Sequence, residues 1–220
     1  MAEAPARAFR DILLATAERM IYSAHNYWFV LISDVAGAVG FLVFGIRHLS
    51  GSTIAAGLSV TGGFIAWGFL EYALHRWLLH GRPSIARRGH ARHHADDTAL
   101  ISTPALVVMT AACALWATLS MVFPTDVACL MVFGLYAGYN YYALLHHLQH
   151  RRWTTLACLA GLERVHRIHH DRHMVNYGVT TTLWDRLLGT FQPSHESENA
   201  RSVGEAASSP ALGARESLSS

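Results

Sequence analysis

The sequence predicts an all-α fold, a membrane-embedded bundle of four helices carrying a cytosolic helical cap. Three observations point there. Of the 220 residues, 52% are hydrophobic and only 15% are charged, and the mean hydropathy is +0.23. Soluble domains carry about 25% charged residues, so this composition is that of a membrane protein. Four apolar stretches, roughly 27–46, 53–73, 100–123 and 127–145, each approach the length that crosses a bilayer as a helix. Fifteen histidines are present, and ten of them crowd into four short groups at the ends of the second and fourth stretches.

The elements follow in chain order. Residues 1–24 include "PARAFRDILLATAERMIYS", which mixes Arg7, Arg10 and Arg19 with Ile12, Leu13 and Leu14. That mixture predicts an amphipathic helix lying at a membrane surface. It has no uninterrupted apolar core or small-residue cleavage site, so it is not expected to be removed as a signal peptide. Residues 25–193 form the membrane domain with its cap, and the Ser/Ala/Glu-rich tail 194–220 is expected to be disordered.

Charge sets the expected orientation. The connections 47–52 and 124–126 hold one arginine, Arg47. Segments 74–99 and 146–172 hold Arg76, Arg82, Arg87, Arg88, Arg92, Arg151, Arg152, Arg164, Arg167 and Arg172. Positive-inside bias places these segments, and both termini, in the cytoplasm. The histidine groups then lie just beyond the cytoplasmic ends of the second and fourth spans. All 17 basic residues are arginine, and the net charge of +2 gives no reason to expect nucleic acid. The cysteines, Cys113, Cys129 and Cys158, are far apart, so neither a disulfide framework nor a cysteine-held cluster is suggested.

The groups are His75 and His80; His90, His93 and His94; His146 and His150, with His147 between them; and His166, His169 and His170. Two of them repeat the pattern H-x-x-H-H, 76 positions apart. Positions i, i+3 and i+4 share one helix face, so each box is expected to aim three imidazoles one way. His146 and His150 pair at i, i+4. His75 and His80 stand about 140° apart on an ideal helix, and they converge only if the helix ends or bulges between them. Imidazole suits iron, zinc, copper and nickel. A single histidine here would read as solvating a helix end, whereas ten at these spacings predict two metals with five ligands each.

His25, His48 and His195 have no partner at helical spacing and read as bystanders. His147 and His173 are intermediate, since His147 is i−3 to His150 and His173 is i+4 from His169. Glu71, four before His75, either orients a ligand imidazole or meets Arg76. Asp34 and Asn140, inside the apolar stretches, are expected to bond between helices. "ERVH" supplies one E-x-x-H, but a soluble di-iron bundle needs two and further glutamates.

At these residues the chain resembles the fatty acid hydroxylase/sterol desaturase superfamily, over roughly residues 60–192. The matching motifs are H-x4-H at His75/His80, H-x-x-H-H at His90/His93/His94, H-x3-H at His146/His150 and H-x-x-H-H at His166/His169/His170. Tyr142, four before His146, matches the fatty acid hydroxylase branch. So does "NYGVTTTLWDRLLGTF", Asn176 to Phe191. The run "EYALHRWLLHG" and the short His80–His90 link also look like the bacterial carotene hydroxylase branch.

The resemblance implies a di-iron membrane oxygenase that hydroxylates or desaturates a C–H bond of a lipid, a fatty acyl chain first. A carotenoid or sterol-like isoprenoid is the alternative substrate. It implies the ten histidines as ligands, two iron ions, O2 and electrons from an NAD(P)H-linked donor, with zinc as a substitute in purified protein. No electron-carrier domain precedes the bundle in this sequence. A separate ferredoxin, cytochrome b5-like protein or reductase is therefore the expected partner. Glu71, Tyr142, His147, His173, Asn176, Tyr177, Trp184 and Asp185 are candidates to support the ligands, the last three as positioning residues. Two rivals remain. A bis-histidine haem carrier would pair facing histidines inside the spans, and a metal transporter would need polar ligands near the bilayer midplane.

Overall fold

The computed structural model describes residues 3–151 and 157–193. His195 and the tail 194–220 lie outside the described residues. Among those described there are helices and connections and no strand.

Helix α1 (Glu3–Ile21) is followed by the long apolar helices α2 (Ala24–Arg47) and α3 (Thr53–Ala73). Serine opens both of the latter: the Ser23 and Ser52 hydroxyls accept from the N–H groups of Asn26 and Ala55 at 3.3 and 3.2 Å. These bonds satisfy donors that a helix start leaves orphaned. Helix α3 continues into a π-helical turn, Leu74–Leu79. Helices α4 (Ile85–Ala95), α5 (Ala105–Leu119), α6 (Thr125–His150), α7 (Ala157–Asp171) and the single turn α8 (Leu183–Leu187) complete the chain.

Three helical segments, Ala24–Arg47, Thr53–Leu79 and Thr125–His150, are long and apolar enough to cross a membrane. The third apolar stretch of the sequence behaves differently. Only Ala105–Leu119 is helical there, 15 residues or about 22 Å at 1.5 Å per residue. Pro104 stands before it, and Ser120 to Phe123 turn away after it.

Helix α6 is the centre of the bundle and packs on α2, α3 and α5. Its approach to α3 is close because both sides lack a side chain. A Cβ on Gly63 would sit 2.1 Å from the Met131 carbonyl oxygen, and one on Gly134 would sit 2.1 Å from that of Val60. Small residues that let backbones meet are what holds helices together where lipid removes the hydrophobic drive. Asp34 on α2 accepts from the Tyr136 hydroxyl of α6 at 2.8 Å, and Asn140 Nδ2 donates to the Asp34 carbonyl at 3.4 Å. At the end opposite the histidines, Asp126 accepts from the Ser50 and Gly51 N–H groups at 2.8 and 3.2 Å and joins the α2–α3 connection to α6.

Candidate metal centre

Four elements bring the histidines together. The π-helical turn carries His75 and leads to His80, α4 carries His90, His93 and His94, α6 ends on His146 and His150, and α7 carries His166, His169 and His170. The His80 N–H donates to the His75 carbonyl at 3.1 Å, the i→i+5 bond of a π-turn. That bond removes the angular mismatch between the two imidazoles, whose ring centres lie 5.2 Å apart.

All ten imidazoles sort into two groups of five. One is His75, His80, His90, His94 and His169; the other is His93, His146, His150, His166 and His170. Within each group the ligand-capable atoms all lie within 4.8 Å of one another. Neither H-x-x-H-H box serves one group alone, which corrects the expectation that each aims its three rings one way. His90 and His94 turn to the first group and His93 to the second; His169 turns to the first, His166 and His170 to the second. The reason is angular. The i and i+4 rings overlie one another, while the ring at i+3 is offset toward the other side of the seam and meets a different helix.

The geometry fits a cation in each group. In the first, the Nε2 atoms of His75 and His90, His80 and His90, and His90 and His94 are 2.9, 2.9 and 3.0 Å apart. Two nitrogens bound to one metal at 2.0–2.1 Å and at right angles would be about 3 Å apart. Protons cannot satisfy this arrangement. His75 Nδ1 faces the Tyr177 carbonyl oxygen at 2.5 Å, and His169 Nδ1 faces that of Val175 at 2.7 Å. A carbonyl only accepts, so both Nδ1 atoms carry the hydrogen and both neutral rings present a bare Nε2. His90 Nε2 has three nitrogen neighbours and at most one proton to give. In the second group, His150 Nε2 lies 3.1 Å from His146 Nε2 and 3.0 Å from His166 Nε2. There the Nε2 atoms of His93 and His170 are buried with no hydrogen-bond partner.

Electrostatics keep the rings in the form that binds metal. Burial, reinforced by neighbouring imidazoles, lowers His93 to about 3 and His170 to about 2. Burial, then His173, lowers His94 to about 4, and burial, then His173 and Arg87, lowers His80 to about 4. Burial likewise lowers His169 to about 2, and it carries His90 and His166 well below the usual range. All are neutral at neutral pH, as imidazole ligands must be.

The chain belongs to the fatty acid hydroxylase family. The family model described as fatty acid hydroxylase matches residues 60–190, well over half the chain. Among curated relatives, the dihydroceramide fatty acyl 2-hydroxylase FAH2 of Arabidopsis thaliana is 28% identical over 61% of this chain and 61% of its own length. The ceramide very long chain fatty acid hydroxylase scs7 of Schizosaccharomyces pombe is 31% identical over 60% of this chain and 41% of its own. The fatty acid 2-hydroxylase of Mus musculus is 23% identical over 79% and 50%. The chain thus spans from about two fifths to three fifths of the length of these relatives. A solved structure described as full length scs7p, with only the hydroxylase domain visible, shares the fold. Its TM-score is 0.64 at 20% identity, covering 79% of this chain and 68% of that one.

Within this fatty acid hydroxylase fold, the closing segment 175–192 supports the first group from behind. Asp185 is fully buried and accepts from the N–H groups of Tyr177 and Gly178 at 2.7 and 2.8 Å and from the Thr190 hydroxyl at 2.7 Å. Asn176, at φ 54°, accepts from the Gln192 N–H at 2.7 Å and donates to its carbonyl at 2.9 Å. A Cβ on Gly178 would sit 2.0 Å from the Thr181 carbonyl oxygen, so only glycine fits there. Glu71 does not meet Arg76, and it reaches His75 only through the backbone. It is buried and accepts from the Val179 and Thr180 N–H groups at 2.5 and 3.0 Å, holding the loop whose Tyr177 carbonyl in turn holds His75. Arg76 instead donates to the Tyr72 hydroxyl at 2.7 Å.

The remaining candidates separate clearly. The Tyr142 ring stacks on His146 at 5.5 Å. Exposed His173 packs its ring 4.4 Å from that of His94. His147 lies outside both groups, its Nδ1 2.9 Å from the Tyr27 hydroxyl. Trp184 packs on Phe69 at 4.8 Å. Exposed His25 and His48 join neither group, nor does Glu163, which pairs with Arg167 at 2.7 Å. Sequence reasoning missed Val175, whose contribution is a backbone carbonyl with no side-chain signature. It also missed Asp97, whose carboxylate lies 3.9 Å from His150 Nδ1; its place just after the first box was the available signal.

A cavity of about 430 Å³ opens beside the second group. His90, His93, His146 and His150 are among its lining residues, and Val30, Leu31, Ile101, Val107 and Ala143 are among its apolar walls.

Proposed function

We propose that this protein hydroxylates a C–H bond of a lipid acyl chain with O2, using two metal ions held by the ten histidines. The observation that carries this reading is the convergence of two five-imidazole groups, four of whose rings line a largely apolar cavity. The relatives named dihydroceramide fatty acyl 2-hydroxylase and fatty acid 2-hydroxylase point to an acyl chain as substrate and to its second carbon as the site. Iron is the metal assigned. Zinc can take its place in purified protein because imidazole accepts both.

The metal pair, when bound, supplies O2 binding and the oxidising power for C–H cleavage, with electrons from a separate donor protein. The chain supplies position and dryness. The cavity walls align an extended acyl chain and exclude water. The Tyr177 and Val175 carbonyls hold the Nδ1 protons of His75 and His169 and so fix which ring nitrogen faces inward. Asp185 and Glu71 hold the backbone that carries those carbonyls. Helices α2, α3 and α6, joined by α5 with its apolar flanks, make four crossings, with the histidines and both termini on the arginine-rich cytoplasmic side.

The test is single-turnover oxidation of a ceramide and a free fatty acid in lipid nanodiscs by iron-loaded protein under ¹⁸O2. One labelled oxygen in the product, absent after His170→Ala, is expected. A product carrying oxygen from water, or protein that binds no metal after purification without chelator, overturns the reading.

A further inference from the structure

The face of α6 that carries His146 and His150 carries something else. Tyr136, Tyr139 and Tyr142 precede them at intervals of three and then four residues, so all five side chains share one stripe. The rings form a ladder. Tyr136 and Tyr139 are 6.1 Å apart between centres with planes 28° from parallel, Tyr139 and Tyr142 are 6.4 Å and 27°, and Tyr142 and His146 are 5.5 Å and 14°. Trp67 of α3 lies beside the middle of the ladder, 5.1 Å from Tyr139 and 5.9 Å from Tyr142.

The far end of the ladder is chemically special. The Tyr136 hydroxyl, in a residue only 2% exposed, donates to the carboxylate of Asp34, also 2% exposed, at 2.8 Å. An ionisable residue within a membrane helix is rare and marks a functional site by default. Packing needs a polar link between α2 and α6, but it does not need a carboxylate at the end of three stacked phenols. A phenol loses an electron readily only if its proton can leave at the same time, and here an acceptor is already hydrogen-bonded. The indole Nε1 of Trp67 is buried without a partner, so Trp67 can relay an electron but has nowhere to send a proton.

We propose that Tyr142, Tyr139 and Tyr136 form a path by which the metal centre is reduced from within the protein when no C–H bond is in reach. The inference rests on the oxygenase reading above. O2, reduced to two water molecules with four electrons from the reduced metal pair and four protons from solvent, leaves each ion two oxidation states higher. With the cavity empty of substrate, one electron then passes from Tyr136 through Tyr139, Tyr142 and His146 to the oxidised metal of the second group. The Tyr136 phenol proton moves to Asp34 across their hydrogen bond. The metal is lowered by one oxidation state, Tyr136 becomes a neutral phenoxyl radical, Asp34 becomes a carboxylic acid, and total charge is unchanged. A small-molecule thiol later returns one electron as Asp34 returns the proton. The oxidising equivalent thus ends about ten residues, or roughly 15 Å, from the ligands instead of in them. Electron transfer falls off steeply with distance, and contacts between adjacent rings keep each hop short.

The experiment uses the full chain in nanodiscs, loaded with ferrous iron, without lipid substrate, mixed with O2 and freeze-quenched. Metal oxidation is followed optically and radicals by electron paramagnetic resonance. A neutral tyrosyl signal is expected, narrowed when the unaltered protein is grown on ring-deuterated tyrosine. Tyr136→Phe should abolish it, Asp34→Asn should abolish or greatly weaken it, and Tyr141→Phe should leave it as it was, since Tyr141 faces Phe64. In Tyr139→Phe, peptide mass spectrometry should find oxidation moved to Tyr142 and His146. The deuterium result needs no variant, so a misfolded mutant does not spare the proposal. Metal oxidation by O2 with no tyrosyl signal, or with a signal indifferent to deuterium, overturns the ladder and leaves the oxygenase reading standing. Failure of iron to bind or to be oxidised overturns both.

Discussion

Asp185 belongs to neither histidine group, yet its removal should empty one group before the other. In the folded chain its carboxylate is the shared acceptor for the Tyr177 and Gly178 N–H groups and the Thr190 hydroxyl. In Asp185→Ala the Thr190 hydroxyl can turn to Tyr72, whose hydroxyl is already 3.1 Å away. The two amides have no such recourse. Each buried donor left unpaired costs about 1–3 kcal/mol, so the loop 175–178 loses on the order of 2–6 kcal/mol of support. That loop fixes two ligands, His75 and His169, and both belong to the first group. Losses behind metal ligands typically cost 10–100-fold in affinity. Titration with limiting metal should therefore show one of two equivalents weakened by that factor. Asp185→Asn, which keeps one acceptor oxygen, should fall between.

Double variants identify the group. Asp185→Ala combined with His170→Ala should strip both metals, because the two changes act on different groups. Combined with His80→Ala it should do little more than His80→Ala alone, because residues of one site are not additive. If Asp185→Ala binds two metals with parental affinity, or if its loss adds to that of His80 and not to that of His170, the argument from the loop is wrong.

Three further outcomes follow from the same geometry. His93→Ala and His94→Ala are adjacent in sequence but should each remove a different metal, read as complementary changes in the spectrum of a cobalt-substituted protein; identical spectra would refute the split of the box. The depressed imidazoles set the response to acid: a folded pKa below the unfolded value of about 6.5 means stability that is full above pH 6.5. It declines as pH falls toward about 4 for His80 and His94 and about 3 for His93, so the metal-free melting temperature and the retained metal should both drop across that interval rather than above it. Gly134→Ala should lower the melting temperature and the yield of folded protein, by about 1–3 kcal/mol or more, since its Cβ meets the Val60 backbone; Gly62→Ala, whose Cβ meets nothing within 4 Å, is the control.

The spacing of the histidines was enough to choose the ten that converge and to set aside His25 and His48, because helical periodicity is a local property that the chain carries in its order of residues. The preference for His146 over His147 came from the i, i+4 relation to His150 together with the family resemblance at Tyr142, since His147 is itself i−3 to His150. The aromatic stripe on α6 was equally legible, although only its last member, Tyr142, drew notice. Other features had no local cause. Which imidazole joins which group depends on the helices that face α4 and α7, and a box of three neighbours could not reveal that it straddles two sites. The length of α5 was set by the turn after Leu119 and by Pro104, not by the run of apolar residues around them. The partner of Glu71 lies 108 positions away at Val179, and the groups that orient His75 and His169 are main-chain carbonyls. Every residue has such a carbonyl, so only the path of the folded chain could decide which ones face an imidazole.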